Sequence, residues 1–570
     1  MKAKGIVTLG LSAAFLVACS SDENIDNKVP RGDEAFVSLS IALPTSANGT
    51  RADDDKDYNK GDAKEYNVED LKIVYFSKPN GVNENDYDNY VVASAPQDVN
   101  KADLTWTPST NGITTEATLP VQRVQRDVKA VLVLINPNQT LIGNITAGTK
   151  FSDLNKTLDI DQVSALTSQN DDANHFFMTN SPLSDGTTLV SVQAYNREDV
   201  ARANTKAVYV ERAVAKVSFE IGKLTESNGN WEVNASDPYA GDKVSFTAWS
   251  LDVTNKKEFM MRKYDTGWNS YQSTGLTINR FLATRILEPG KQRTYWATDP
   301  NYDNASMPVY TADGVVDKAQ STDFNYITES DVTTQMAAAA YCTENTFDVT
   351  HMKQGETTRV IVKAQYQPQT NMEDGLQASD FVAGQTWYRV GNSNKACNDN
   401  KLKEKVLNAV KTVTTEATAV NIVADQIAAG EHDFSKEMFT VNDASNTSTS
   451  RAMSDEELNA VKAALGKLTV YKDGICYYVA RIRHFDDSQL GDWDGTDYTQ
   501  NADEATRKDF LGRYGMVRNN WYQLTINSVS APGTPTIPIP SDTPDDEQNY
   551  YLQTSVKIMD WAVRKQGLDF

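Results

Sequence analysis

Residues suited to catalysis or metal binding are scarce in this sequence of 570 residues, which has only four histidines and four cysteines. The histidines, His175, His351, His432 and His484, lie far apart, and none belongs to an HExxH motif or to another close zinc spacing. The GxSxG motif that surrounds a nucleophilic serine is also lacking. We therefore expect a protein that is not an enzyme and that binds no metal or cofactor.

Basic charge and long apolar runs are also in short supply. The chain has 55 lysines and arginines against 77 aspartates and glutamates, and its formal net charge is −22 at pH 7. Because nucleic-acid binding depends on neutralising phosphates with basic side chains, we expect no nucleic acid among the partners. Beyond the N-terminal region, no stretch reaches the roughly 18 apolar residues that a membrane-spanning helix needs.

The N-terminus carries the best-defined signal in the sequence. Lys2 and Lys4 precede an apolar run from Ile6 to Ala18, and the run ends at Leu16-Val17-Ala18-Cys19. This pattern predicts a signal peptide over residues 1–18. It resembles a bacterial lipoprotein signal, which implies that Cys19 carries lipid such as palmitate and that the precursor is an outer-membrane lipoprotein.

Three cysteines remain once Cys19 is assigned to lipid. Cys342, Cys397 and Cys476 are far apart in the sequence and odd in number. This number and spacing fit neither a metal pair nor a closed disulfide framework, so we expect buried free thiols.

A strand followed by an easily cut loop lies near the N-terminus. Val37, Leu39, Ile41 and Leu43 alternate with small or polar residues, which predicts a strand with one face on a core. After Pro44, the polar segment up to residue 55 has the composition of an exposed loop that proteases cut readily. Arg51 stands in its middle and is followed by Ala52 and three aspartates. The simpler alternative is an ordinary first strand that is followed by a surface loop.

The C-terminus contains a second strand on a Pro-rich arm. Residues 531–549 have five prolines, which predicts an extended linker that could reach roughly 60 Å at about 3.1 Å per residue. Tyr550 to Val563 follows, with Leu552, Thr554, Val556 and Ile558 on one face. A removable strand at the front and a strand on an arm at the back suggest that the tail of one subunit replaces the lost strand of another.

The rest of the chain predicts an all-β protein with minor helices. Strand-like runs occur at Leu71 to Ser77, Ala130 to Ile135, Ala207 to Ile221, Thr357 to Tyr366, Ile475 to Arg483 and Trp521 to Val529. Apolar spacing allows a short helix between Ser152 and Leu166. Helical spacing also marks an insertion near residues 401–468, where Ser454 and Glu457 form a capping box. Many strands and few helices favour β-sandwiches, which we place at residues 52–207 and 208–530.

Several of these stretches together resemble the fimbrillins, the subunits of type V pili in Bacteroides-type bacteria. The resemblance rests on the lipoprotein signal, the loop arginine and four motifs: VERAVAKV (Val210 to Val217), TENTF (Thr343 to Phe347), QGETTRVIVKAQY (Gln354 to Tyr366) and RYGMVRNNWYQLTINSV (Arg513 to Val529). It is closest to the minor-fimbria shaft subunits. The resemblance implies two transthyretin-like β-sandwich domains in tandem, an extended C-terminal strand and no catalysis.

The resemblance also implies a route of maturation. Family subunits are exported as lipoproteins, an Arg-specific, trypsin-like protease cuts after the loop arginine, and a neighbour's C-terminal strand fills the groove that is left. In this sequence the cut would fall between Arg51 and Ala52, so that residues 19–51 are a propeptide and residues 550–570 the donor strand. The implied partners are further copies of the chain or related pilus subunits, on the cell surface.

Two alternatives remain open. A pilus tip or adhesive subunit would be expected to lack a free C-terminal strand. A surface glycan-binding lipoprotein would need exposed aromatic platforms, for which Trp493, Trp521 and Trp561 are candidates.

Overall fold

A computed structural model gives the architecture of the chain. The residues that the structure describes are 32–44, 61–108, 114–160, 162–167, 176–222, 224, 226–227, 230–233, 238–270, 279–288, 290–302, 308–485, 490, 504–545 and 552–560. Cys19, Arg51, Ala52, His175, Trp493 and Trp561 lie outside these ranges, so the predictions that fall on them are not addressed by the structure.

Strands dominate the fold, which confirms the all-β class. The first part contains β1 (Glu34–Val37), β2 (Leu39–Pro44), β3 (Leu71–Ser77), β4 (Val91–Val92), β5 (Gln97–Asp98), β6 (Thr105–Pro108), β7 (Thr114–Thr118), β8 (Gln122–Gln125), β9 (Val128–Ile135), β10 (Thr157–Asp159), β11 (Met178–Asn180), β12 (Val190–Ser191) and β13 (Lys206–Arg212). The middle part contains β14 (Ala215–Ile221), β15 (Glu226–Ser227), β16 (Asn230–Glu232), β17 (Lys243–Asp252), β18 (Thr254–Asn255), β19 (Lys257–Phe259), β20 (Leu282–Glu288), β21 (Lys291–Thr294), β22 (Phe324–Asn325), β23 (Ala340–Cys342) and β24 (Arg359–Gln367). The last part contains β25 (Trp387–Val390), β26 (Ala417–Ile422), β27 (Gly430–Asp433), β28 (Phe439–Asp443), β29 (Asn446–Ala452), β30 (Lys467–Tyr471), β31 (Ile475–Arg481), β32 (Asn520–Val529) and β33 (Leu552–Asp560).

Helices are few and mostly short. They are α1 (Ala63–Tyr66), α2 (Gln139–Ile142), α3 (Phe151–Leu154), α4 (Ser164–Thr167), α5 (Glu198–Ala203), α6 (Asp399–Val410), α7 (Asp455–Leu465) and α8 (Glu504–Phe510). The predicted capping box of α7 is present, with Ser454 and Glu457 bonded reciprocally and Gly466 at the C-terminal end. Among the described residues, no helix has the length and apolar character that crossing a membrane requires.

One large sheet encloses the first core. Its strands follow the order β4-β3-β9-β11-β13-β2-β7-β6. In addition, β5 pairs with β3 and β12 pairs with β9. Buried residues from both ends of this order, such as Ile73 of β3 and Ala117 of β7, belong to the same core cluster. The sheet therefore folds over on itself around that core. The run Ala130 to Ile135, which is apolar on both faces, is buried throughout, as expected for a central strand.

A second core lies between two further sheets. One sheet has the order β23-β14-β32-β33 and the other β15-β16-β17-β24-β31. Inward side chains of both sheets, including Leu524 of β32 and Val362 of β24, form one buried cluster. This two-layer arrangement is that of a β-sandwich.

The run from Ala207 to Ile221 is predicted as one strand but forms two. β13 joins the first sheet and β14 the second, with a break at Ala213 and Val214. Both residues of the break are buried in the first core, because the chain passes from one core to the other there without reaching solvent. Our domain limits at residues 207 and 208 remain a prediction, while the change of sheet falls a few residues later.

The insertion near residues 401–468 has a core of its own. α6 and α7 pack with two three-stranded sheets, β25-β30-β27 and β26-β28-β29, around a separate buried cluster. The sequence predicts the two helices but not the short strands between them. The polar strand β29, NTSTSRA, lacks the apolar alternation that would identify it.

The three described cysteines are buried free thiols, as predicted. Burial raises the pKa of the Cys397 and Cys476 thiols to about 12, and it also raises the pKa of Cys342. These thiols are therefore protonated at neutral pH and suited to packing rather than to reaction.

The Pro-rich segment differs from the expectation of a free arm. Residues 531–545, which we call the strap, lie along the second sandwich, and Ala531, Ile537 and Asp545 are buried. A polyproline tract has no internal hydrogen bonds, so its backbone groups are available to partners elsewhere in the fold. Those partners lie far away in the sequence, at residues such as Gly314, Gln354 and Tyr477.

Candidate assembly site

The predicted removable strand occupies an interior position of the first sheet. β2 pairs in parallel with β13, from Lys206↔Leu39 to Tyr209↔Ala42. On its other side it pairs antiparallel with β7, from Ser40↔Thr118 to Pro44↔Thr114. Removing β2 would therefore unpair two strands at once and expose the backbone groups of both.

Side chains of this strand also fill the first core. Val37, at the end of β1, and Leu39, Ile41 and Leu43 are all buried among the residues of that core. Burial of four such side chains contributes about 1.5–3 kcal/mol each. The slot left by their removal would be apolar, with a free sheet edge on either side.

β1 holds the segment by further contacts. It pairs antiparallel with β8, from Glu34↔Gln125 to Val37↔Gln122. The backbone of Phe36 exchanges hydrogen bonds of 2.7 and 2.8 Å with Tyr195, and Ser38 Oγ lies 2.8 Å from Thr205 Oγ1. The removable segment is thus integrated into the uncut protein, and cutting the loop after it would not by itself break these contacts.

The predicted donor segment does form a strand, β33, within the same chain. It pairs antiparallel with β32, from Asn520↔Asp560 to Val529↔Leu552, with a register shift between Ile526 and Ser528. The side chains of Leu552, Thr554, Val556 and Ile558 lie outside the described part of the structure. β33 thus lies at the end of the β23-β14-β32-β33 order, and its role toward a neighbouring subunit stays a prediction.

The chain after the predicted cut is fixed to both sheets. The buried Glu65 of α1 accepts a hydrogen bond of 2.9 Å from the N–H of Asp62. Its carboxylate lies 2.6 Å from Lys216 Nζ of β14, and the Tyr341 hydroxyl donates to the same carboxylate. Arg212 Nε of β13 donates to the Glu65 carbonyl oxygen at 2.6 Å. Loss of residues 1–51 would leave this anchor in place.

The motifs that carry the resemblance converge where the two cores meet. Glu211 makes a bidentate ion pair with Arg262 at 2.8 Å for both contacts. Arg212 Nη1 donates to Asn519 Oδ1 at 3.1 Å, and Arg518 Nη2 donates to Glu344 Oε1 at 2.8 Å. All of these side chains are buried. VERAVAKV, TENTF and RYGMVRNNW therefore supply one polar junction between the sheets.

Sequence reasoning missed two members of this junction, Arg262 and Glu258. Both stand in short or irregular segments where a charged residue is normally taken as exposed. Glu258 Oε2 lies 3.6 Å from Arg518 Nη2, and among the described residues neither carboxyl oxygen of Glu258 has a hydrogen bond. Burial raises the pKa of Glu258 to about 8. A buried carboxyl without hydrogen bonds is best tolerated as the neutral acid.

The strap is held by hydrogen bonds along its length. Backbone bonds join Tyr477 with Thr534 in both directions (2.7 and 2.9 Å), Val316 N–H with Pro540 O (2.9 Å), Asp542 N–H with Gly314 O (2.9 Å), Gly355 N–H with Ser541 O (2.8 Å), Gln354 N–H with Thr543 O (2.9 Å) and Asp545 N–H with Met352 O (3.1 Å). Each contributes about 0.5–1.5 kcal/mol. Together they make the strap part of the second sandwich.

The described residues also bear on metal binding and glycan binding. Within the described part of the chain, no group of three histidine, cysteine, aspartate or glutamate side chains could hold a metal ion. Trp521, a candidate glycan platform, is half-buried; Lys216 Nζ lies 3.8 Å from its ring centroid, and its indole N–H donates to Ser218 Oγ at 2.7 Å. One face of this ring is therefore already occupied.

Comparison with known proteins supports the resemblance for the C-terminal part. Residues 469–567 match the family model described as Major fimbrial subunit protein type IV, Fimbrillin, C-terminal. The match spans β31, β32, the strap and β33. It confirms the similarity to the fimbrillins that the motifs indicated. No curated protein matches the chain.

Solved structures with some similarity include three fimbrial proteins. A fimbrilin (fimA) from Porphyromonas gingivalis W83 is 12% identical, with a TM-score of 0.34, 93% of this chain covered and 99% of the other. A fimbrial assembly protein from Parabacteroides distasonis is 14% identical, with a TM-score of 0.26 and coverages of 64% and 94%. The tip fimbrial protein Mfa3 from Porphyromonas gingivalis, with C-terminal truncation, is 11% identical, with a TM-score of 0.25 and coverages of 92% and 99%.

Proposed function

We propose that this chain, whose C-terminal part is similar to the C-terminal region of the fimbrillins, is a non-enzymatic shaft subunit of a fimbria that supports adhesion. It is exported as a lipoprotein on Cys19, cut after Arg51, and polymerised by strand exchange at the cell surface. The observation that supports this proposal most is the place of β2. An interior strand at the front of the chain leaves a complete groove when it is removed.

The groove defines what can replace the lost strand. An incoming strand must present apolar side chains at every second position and hydrogen-bond on both sides, to β13 and to β7. Leu552, Thr554, Val556 and Ile558 supply that alternation in the sequence. Because the cut is irreversible, each subunit becomes an acceptor only once and assembly has a direction.

Donation requires β33 to leave β32. In its own chain β33 pairs with one strand, β32, whereas in the groove of a neighbour it would pair with two. In the groove β2 forms nine residue pairs, four with β13 and five with β7, and β33 also forms nine residue pairs with β32, so the number of ladder hydrogen bonds is similar in the two places. The drive for transfer comes instead from the apolar slot that loses Leu39, Ile41 and Leu43 on removal of β2 and that the apolar face of the donor strand would refill.

The first test is limited digestion with an Arg-specific protease. We expect the first cut after Arg51 and a new N-terminal sequence of Ala-Asp-Asp-Asp. The matched control is Arg51→Ala, which should stay uncut at this site and monomeric. A first cut elsewhere, with Arg51 protected, would contradict the proposal.

A further inference from the structure

The strap joins the body of the subunit to the proposed donor strand. Residues 531–545 are docked, and residues 546–551 lie between Asp545 and the start of β33 at Leu552. Whether the strap keeps its contacts during assembly decides how long the connection between two subunits is. The contacts of the strap determine how readily it can leave the sandwich.

The strap packs closely against the residues of the sandwich that it contacts. A Cβ atom added to Gly533 would lie 2.4 Å from the carbonyl oxygen of Tyr477. On the facing side, a Cβ added to Gly314, whose φ is +75°, would lie 2.8 Å from Asp542 Oδ1. Glycines on both sides of the contact thus allow the strap to approach the sandwich more closely than side chains would permit.

Two side chains anchor the middle of the strap. Ile537 is 7% exposed and belongs to a small buried cluster with Val332, Ile361 and Tyr477, on the face of β24 and β31 that points away from the second core. Next to it, the buried Arg359 donates from Nη2 to the carbonyl oxygen of Pro538. Undocking would expose this apolar cluster to water and remove a partner from a buried guanidinium.

The last anchor is Asp545, which is 1% exposed. Its N–H donates to Met352 O at 3.1 Å, and its Oδ2 accepts a hydrogen bond of 2.9 Å from the Thr357 hydroxyl. The adjacent pair Lys353↔Pro544 forms an antiparallel bridge. The docked part of the chain therefore ends in a buried, hydrogen-bonded carboxylate at the point where the connection begins.

We propose that the strap stays docked on its own subunit in the filament, so that only residues 546–551 bridge to the donor strand. This inference rests on the proposed function and concerns the same site. Six extended residues reach about 20 Å at roughly 3.3–3.6 Å each, whereas a free arm of residues 531–549 would reach roughly 60 Å. The groove of the next subunit must then lie close to Asp545. The docked strap sets the distance between subunits.

Disulfide locks test this directly. Val315↔Ser541 and Lys353↔Pro544 are antiparallel bridges flanked by hydrogen bonds rather than joined by them, because Val316 N–H bonds to Pro540 O and Gln354 N–H to Thr543 O. Such pairs have Cα atoms about 4.5 Å apart, which suits a disulfide. The variants are Val315→Cys with Ser541→Cys, and Lys353→Cys with Pro544→Cys, each cut after Arg51 and each compared oxidised and reduced.

We expect the oxidised locks to build filaments in the same yield as their reduced forms. Loss of filaments on oxidation, with recovery on reduction, would overturn the inference while leaving strand exchange intact. The single variant Ser541→Cys controls for the substitution itself. If the cut protein without substitutions builds no filaments, the proposed function fails and the inference fails with it.

Linker length gives a second, independent readout. Deleting residues 547–549 halves the connection if the strap is docked, and we expect filament yield to fall at least tenfold with the monomer still folded. Inserting Gly-Ser-Gly at the same place should be tolerated, since the connection only becomes longer. Full assembly by the deletion variant would mean that the strap undocks to supply length.

Discussion

Charged side chains at the junction of the two cores have contacts from which effects on the free energy of unfolding can be predicted. Arg518 is fully buried and lies between Glu344 at 2.8 Å and Glu258 at 3.6 Å. It also donates to the carbonyl oxygens of Phe259 and Met260. A cation in this position cannot be removed without leaving a buried carboxylate unpaired.

We therefore predict that Arg518→Met lowers the free energy of unfolding by about 3–5 kcal/mol, because the buried Glu344 loses its ion-pair partner. The matched control is Lys467→Met, which breaks the exposed pair with Glu431 and should have little effect, because water and salt screen that pair. Urea denaturation at pH 7 measures both. Equal effects of the two substitutions would contradict this account of the junction.

Glu258 gives a prediction about pH. Its pKa is raised by burial to about 8 in the folded chain, against about 4.3 for an ordinary glutamate in the unfolded chain. Between these values the folded state binds one proton more than the unfolded state, so this group makes the protein less stable as the pH rises through that window. Glu258→Gln removes the titration, and its stability relative to the parent should increase from pH 5 to pH 8. A difference that does not change with pH would contradict the assignment.

At the scale of elements, the sequence predicts what local pattern determines. Apolar residues repeat with the period of the observed element in the predicted removable strand, in β9, β24 and β32, and in both long helices of the insertion. The strap was not predictable in this way, since an extended Pro-rich tract looks the same whether it is free or docked. Its partners, such as Met352 and Tyr477, lie far from it in the sequence.

The same limit applies to the candidate site. The sequence predicts one core-facing strand through Val37, Leu39, Ile41 and Leu43. The structure buries all four in the core, but Val37 ends β1 while the other three lie in β2. β2 is interior because it pairs with β13, which lies more than 160 residues later, and with β7, which also pairs with β6. Long-range pairing of this kind leaves no mark on the local sequence.

For the donor strand we predict unequal effects of charge on its two faces. Val556→Asp should nearly abolish polymerisation, because a carboxylate would be forced into the apolar groove. Gln553→Asp, on the opposite face, should have a mild effect. Sedimentation of the cut proteins measures assembly, and unfolding of the uncut Val556→Asp monomer would instead assign the strand permanently to its own sandwich.

At the scale of the whole molecule, the proposed assembly requires that the two ends of the chain change partners while the centre keeps its contacts. The polar junction and the Glu65 anchor join the two cores, and the strap is bonded to the second sandwich. Among the described residues, these anchoring contacts run from Asp62 and Glu65, after the predicted cut, to Asp545, before the predicted donor strand. In the proposed assembly, processing would remove β1 and β2 from the first sheet and strand transfer would move β33, while the anchored residues keep their contacts.

Export makes a separate prediction for the full-length precursor. Cys19→Ala should leave the protein without lipid and reduce its display on the outer membrane to background, because the signal would lack the residue that carries the lipid. Metabolic labelling with palmitate and surface proteolysis measure the two effects. Normal labelling and display of the variant would remove the lipoprotein claim.

Electron microscopy of the purified protein after cleavage at Arg51 tests strand exchange most directly. The parent should build filaments, whereas the protein without residues 550–570 should be cut at the same site, keep both sandwiches folded and remain monomeric. Filaments from the cut, tail-deleted protein would contradict the account.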